Sequence, residues 1–124
     1  MPKKDQIRVM IVEDEPSFRE LVQLVLSLDS QFEIVGTAGS GEEALDGLEE
    51  ARPDLVLLDF RLPGIDGLET AKRMIEQRPG IKIAMVTAHS EEVLSRFAKD
   101  ARIHELIPKA SFSLERVRQL VETC

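Results

Sequence analysis

Short apolar runs separated by longer segments of helical period constrain this chain more than any other feature. The runs are Ile7-Arg8-Val9-Met10-Ile11-Val12, Phe32 to Ala38, Leu55-Val56-Leu57-Leu58, Ile81 to Val86 and His104 to Ile107. Each is strand length, and the third and fourth are apolar at nearly every position, as strands buried on both faces must be. Between them, Phe18, Leu21, Val22 and Val25 recur at i, i+3, i+4 and i+7, as do Leu94, Phe97, Ala98 and Ala101. Ala44, Leu45 and Leu48, then Leu68, Ala71 and Ile75, then Leu114, Val117 and Val121, supply three further stripes. Pro16 suits a first helical turn, and Ser40 with Glu43 and Asp66 with Glu69 have the spacing of capping boxes. Five strands alternating with five helices predict an α/β fold with a doubly wound parallel sheet, built on right-handed crossovers. At 124 residues the chain is one domain, with a short tail at 1–6 and the domain proper over 7–124.

Doubly wound sheets bind ligands beyond the carboxyl ends of their strands, so the strand ends are where chemistry is expected. Glu13, Asp14 and Glu15 follow the first run, Asp59 the third, Thr87 the fourth and Lys109 the fifth. Singly, each has an ordinary explanation as a turn acid, a cap or a surface charge. Together they bring carboxylates, a hydroxyl and an ammonium to one rim, where the fold alone has no need of them. Several close acids repel one another unless a cation lies among them, and Mg²⁺ suits a site of few carboxylates with positions left for water and phosphoryl oxygens. The chemistry that uses this set is phosphoryl transfer to a carboxylate. Asp14 and Asp59 are the expected direct metal ligands, and Asp59 is also the expected nucleophile. Lys109 neutralises charge on the phosphoryl oxygens, and Thr87 donates a hydrogen bond to one of them.

The motifs Val12-Glu13-Asp14-Glu15, Leu57-Leu58-Asp59-Phe60-Arg61-Leu62-Pro63-Gly64-Ile65-Asp66-Gly67, Val86-Thr87-Ala88 and Ile107-Pro108-Lys109-Ala110 resemble those of the response-regulator receiver family of two-component signalling. The likeness runs from Ile7 onward. It implies a flavodoxin-like strand order 2-1-3-4-5 and a phosphoryl group taken by Asp59 from a phosphohistidine on a sensor kinase, with small acyl phosphates as substitute donors. It also implies that Glu13 holds a metal-bound water, that Arg61 gives its backbone carbonyl to the metal, and that Pro63 and Gly67 shape the loop beneath. Three places depart from the common pattern. Leu106 stands where many members carry Tyr or Phe. Pro108 precedes Lys109 and Ala110 follows it, where many have Pro after the Lys; the isomer of the Lys109-Ala110 bond is open. Arg61 and His89 flank the family's route for hydrolytic water. Activation is expected to draw Thr87 and Lys109 inward and reshape the surface of the fourth helix and fifth strand.

Three other classes fit less well. An aspartate-nucleophile hydrolase needs a second Asp two residues after the first, where this chain has Arg61. A flavodoxin-like cofactor binder needs a phosphate-cradling loop after the first strand, and Glu13-Asp14-Glu15-Pro16 would repel phosphate. A receiver-shaped interaction module that is never phosphorylated remains the alternative, with Leu106 in its favour. The net charge of −7 argues against this chain gripping nucleic acid. With no long apolar run, no export signal, and a single cysteine at position 124, the chain is expected to work in the cytoplasm, not on a membrane. Its expected partners are a sensor histidine kinase or phosphotransfer protein and, downstream, an output domain, another protein or a second copy. It is not expected to be a conventional enzyme.

Overall fold

A computed structural model describes residues 6–88 and 103–122. Its elements are β1 (Ile7–Val12), α1 (Pro16–Ser27), β2 (Phe32–Ala38), α2 (Gly41–Ala51), β3 (Leu55–Leu58), α3 (Gly67–Gln77), β4 (Lys82–Thr87), β5 (Glu105–Pro108), a 3₁₀ turn (Lys109–Ser111) and α4 (Leu114–Glu122). The strands form one sheet in the order β2-β1-β3-β4-β5, with every pairing parallel. Four α-helices lie among the described residues; the helix expected around Leu94, Phe97, Ala98 and Ala101, and His89 with it, falls outside them.

Strand alternation divides the core into two layers. Side chains of successive strand residues point to opposite faces. Val9 and Ile11 of β1, Leu55 and Leu57 of β3, Ala84 and Val86 of β4 and Ile107 of β5 therefore pack with Val22 and Leu26 of α1 and Val117 and Leu120 of α4. Met10 and Val12, Val56 and Leu58, and Ile83 and Met85 take the other face, against Ala44 and Leu48 of α2 and Ala71 and Met74 of α3. As expected, β3 is buried throughout and β4 nearly so.

Three expectations need correction. β4 and β5 each sit one residue later than their apolar runs suggest, because the parallel ladder pairs Thr87 with Pro108 and leaves Ile81 and His104 in the approaches. The buried stripe of α1 is set by Val22 and Leu26, while Leu21 is 46% exposed and lines up with exposed Leu24 and Leu28. At Ser40 the cap forms, with Glu43 N donating to Ser40 Oγ at 3.1 Å, but the Glu43 carboxylate accepts from Gly39 N at 2.9 Å, one residue before the cap. Asp66 caps α3 through Glu69 N at 2.9 Å, and Glu69 turns outward to Arg73. The Lys109-Ala110 bond is trans.

Candidate functional site

The two-residue period of the strands explains which side chains meet at the rim. Glu13 continues the Val9 and Ile11 row past the end of β1, Asp59 continues the Leu55 and Leu57 row of β3, and Lys109 follows Ile107. All three therefore emerge over the α1/α4 layer, and adjacent strands bring them together. Thr87, fully buried as the last residue of β4, continues the Ile83 and Met85 row and lies in register with Pro108, next to Lys109.

Lys109 Nζ donates to Glu13 Oε2 at 3.1 Å, lies 3.0 Å from Glu13 Oε1 as an ion pair, and lies 3.2 Å from Asp59 Oδ2. The other Asp59 oxygen accepts from Arg61 N at 3.3 Å, so the start of the β3–α3 loop folds back over the carboxylate while the Arg61 residue itself is exposed. Glu13 is 3% exposed and Asp59 5%, whereas Asp14 is exposed on the outer side. One carboxylate oxygen from each of Glu13, Asp14 and Asp59 falls within 4.8 Å of the others. An all-oxygen set of this size fits a hard divalent cation.

The electrostatics agree with that fit. Burial, and then the negative charge of Asp59, push the Glu13 carboxyl up from 4.5 to about 7 despite its hydrogen bonds from Lys109 and Glu15. Burial alone would lower Lys109, but the hydrogen bond to Glu13 and the charges of Asp59 and Glu13 outweigh it and raise its affinity for the proton. One ammonium does not fully compensate these acids, and a cation among them would relieve the deficit.

The loop that supports Asp59 is tightly fitted. Gly67 N donates to Phe60 O at 2.7 Å, and a Cβ at Gly67 would press on the Asp59 carbonyl oxygen and come within 2.7 Å of Phe60 Cα. Gly64 takes φ +77°, a conformation that favours glycine, and the next residue's N–H donates to Glu42 Oε2 of α2 at 3.1 Å. Pro63 is exposed in the same loop. On the opposite side, Arg19 Nη1 of α1 donates to Glu13 O at 2.9 Å. Beneath the carboxylates, Ile11, Val22, Leu57, Val86 and Phe18 enclose a cavity of about 10 Å³, near the lower limit for one water.

Residues 9–122 match the response regulator receiver domain family. This chain belongs to that family. Over 96 residues it is 43% identical to a positive alginate biosynthesis regulatory protein of Pseudomonas aeruginosa, an alignment that takes in 77% of this chain and 39% of that protein. The signal receiver domain of NarL from Mycobacterium tuberculosis superposes with a TM-score of 0.85 at 30% identity, covering 96% of both chains. TrrA of Thermotoga maritima, solved in complex with Mg²⁺ and BeF, superposes at 0.79 with 34% identity over 95% of this chain and 98% of that one. The curated relatives are longer: this receiver spans 21% to 39% of the first three it matches. No described helix is long and apolar enough to cross a membrane.

Glu42, Arg19 and the Phe18–Phe112 pair were not singled out as site residues by sequence reasoning. Glu42 and Arg19 reach the site from helices, so nothing in a strand-end search points to them. Phe18 is visible only as a member of the α1 stripe, although its place in the first turn puts it at the level of the rim.

Proposed function

We propose that this receiver is a phosphoryl-accepting switch in which Asp59 takes a phosphoryl group from a phosphohistidine on a sensor kinase or phosphotransfer protein. The observation that carries the reading is the meeting of the Asp59 carboxylate with Lys109 and two further acids at the end of a parallel sheet. An Asp59 oxygen attacks phosphorus, the P–N bond breaks, and its electron pair stays on the imidazole nitrogen. With an acyl phosphate as donor, the P–O bond breaks instead and the carboxylate leaves.

Asp14 and Asp59 would hold Mg²⁺ directly, with the Arg61 carbonyl as a third ligand and Glu13 acting through a bound water. The ion supplies charge neutralisation between Asp59 and the incoming phosphoryl oxygens. Lys109 shifts from Glu13 toward a phosphoryl oxygen, and Thr87 donates its hydroxyl to another. The added charge of roughly −1.5 to −2 is the signal. Hydrolysis of the aspartyl phosphate resets it, so the chain is self-modifying rather than a conventional enzyme. The readout would be an output domain, a downstream protein or a second copy, in the cytoplasm and without direct nucleic-acid contact by this chain.

Intact mass after incubation with acetyl phosphate and Mg²⁺ tests the reading, with EDTA and Asp59→Ala as controls. One added phosphoryl group, absent from both controls, is expected. Leu106, half-buried against the α2/α3 layer where many members carry an aromatic, favours a second reading as a receiver-shaped interaction module that is never phosphorylated. Absence of both the adduct and a Mg²⁺-dependent beryllofluoride complex at Asp59 by NMR would favour that module.

A further inference from the structure

Lys109 has a third neighbour besides its two acids. The Phe18 ring lies with its centroid 4.7 Å from Lys109 Nζ, within the range in which an ammonium is drawn to an aromatic face. Phe112 meets the same ring edge-on, with centroids 5.9 Å apart and planes at 69°, the arrangement favoured by aromatic quadrupoles. Phe112 also closes the 3₁₀ turn that begins at Lys109, donating its N–H to Lys109 O at 3.2 Å. One short turn thus delivers both the cation and the second ring, and Phe18 is gripped between them.

The competition around Lys109 gives this contact a purpose. Glu13 offers the ammonium two oxygens at 3.0 and 3.1 Å, against one from Asp59 at 3.2 Å. The Phe18 ring adds a third attraction on a flexible four-carbon side chain that two carboxylates already share. The same ring walls the small cavity beside Glu13 and Asp59, so its removal would open that side as well. We infer that Phe18 is a positioning residue for Lys109: its ring face, fixed by Phe112, holds the ammonium over the Asp59 carboxylate. The consequence for phosphoryl transfer rests on the function proposed above.

Two measurements test this separately. In the unphosphorylated protein, the NMR order parameter of Lys109 Cε is expected to fall in Phe18→Leu and to be kept in Phe18→Tyr, with Phe112→Leu between them. With acetyl phosphate, Phe18→Leu is expected to slow Asp59 phosphorylation by about 3- to 10-fold, the range a partly buried cation–π contact supports, while Phe18→Tyr restores it. Mg²⁺ affinity stays within about 2-fold of wild type, since Phe18 supplies no metal ligand. In a Lys109→Ala background, Phe18→Leu should have no further effect on the rate, because Phe18 acts through the ammonium. An unchanged order parameter in Phe18→Leu, or an equal slowing with and without Lys109, overturns the inference and leaves Phe18 as core packing. If the wild type takes no phosphoryl group, the proposed function fails, and the order parameter alone still decides whether Phe18 positions Lys109.

Discussion

Glu13 should make the metal-free protein less stable as the pH rises toward neutrality, against the usual trend for a carboxylate in a salt bridge. Its carboxyl is raised from 4.5 to about 7, by burial first and by Asp59 second. Between those values the unfolded chain has lost the Glu13 proton while the folded chain keeps it. The folded state binds more protons, so unfolding becomes easier as pH increases. The stabilisation is complete below pH 4.5 and lost by about pH 7. At roughly 1.36 kcal/mol per pH unit, the interval gives an upper figure of about 3 kcal/mol. Stability linked to Glu15, lowered first by the Ser17 hydroxyl, and to Asp29, lowered first by Gln31 N–H, is lost only as pH falls below their ordinary 4.5 and 3.8, and that linked to raised Lys109 is lost only as pH rises above 10.5. Urea unfolding in EDTA at pH 5, 6, 7 and 8 should therefore show stability falling across the lower part of this range and then levelling. Glu13→Gln removes the titrating group but keeps an acceptor for Lys109, and should flatten the curve. Saturating Mg²⁺ should flatten it too, while its binding below pH 7 releases a proton. A wild-type curve that is level, or that rises from pH 5 to 7, refutes the assignment of a raised Glu13.

Gly67→Ala should destabilise the protein by about 1–3 kcal/mol in urea unfolding, because the new methyl meets backbone that cannot swing aside. Leu48→Ala, at a fully buried position between α2 and the sheet, should cost about 2–5 kcal/mol by the same assay. Ser40→Ala removes the α2 cap and should cost about 1 kcal/mol. Arg118→Ala breaks a pair with Asp29 at 2.8 Å near the surface, and the free energy of unfolding should fall by less than about 1 kcal/mol.

β3 and β4 were legible because burial on both faces leaves a continuous apolar run. The rim residues were legible because parallel strands all end on the same edge. Boundaries were less so: Ile81 and His104 have the right character for strands but precede the first ladder pairs of β4 and β5. Leu21 shows the limit of a helical stripe. Four positions spaced for one face cover an arc wide enough that its edge reaches solvent, and the packing of α1 on β1 chose Val22 and Leu26. The acids and Lys109 could be placed together from the sequence, but their pairing could not. That Lys109 divides its charge between Glu13 and Asp59 depends on distances of tenths of an ångström, which no spacing encodes.

The grip of Glu42 on the loop after Asp59 bears on how readily an ion is captured. A free loop of six residues, 61–66, would have to surrender its conformational entropy when its backbone closed around a cation, at roughly 1–2 kcal/mol for each residue fixed. Here the Glu42 carboxylate holds Ile65 N–H, Gly64 supplies the left-handed turn, and Gly67 seats the far end on the Asp59 backbone. That ordering is completed when the chain folds, so capture of Mg²⁺ under the proposed function would have little disorder left to remove. A helix with no atom in the acidic cluster would thereby set part of the cluster's affinity, and a change of side chain on α2 would retune the proposed metal site without touching Glu13, Asp14 or Asp59.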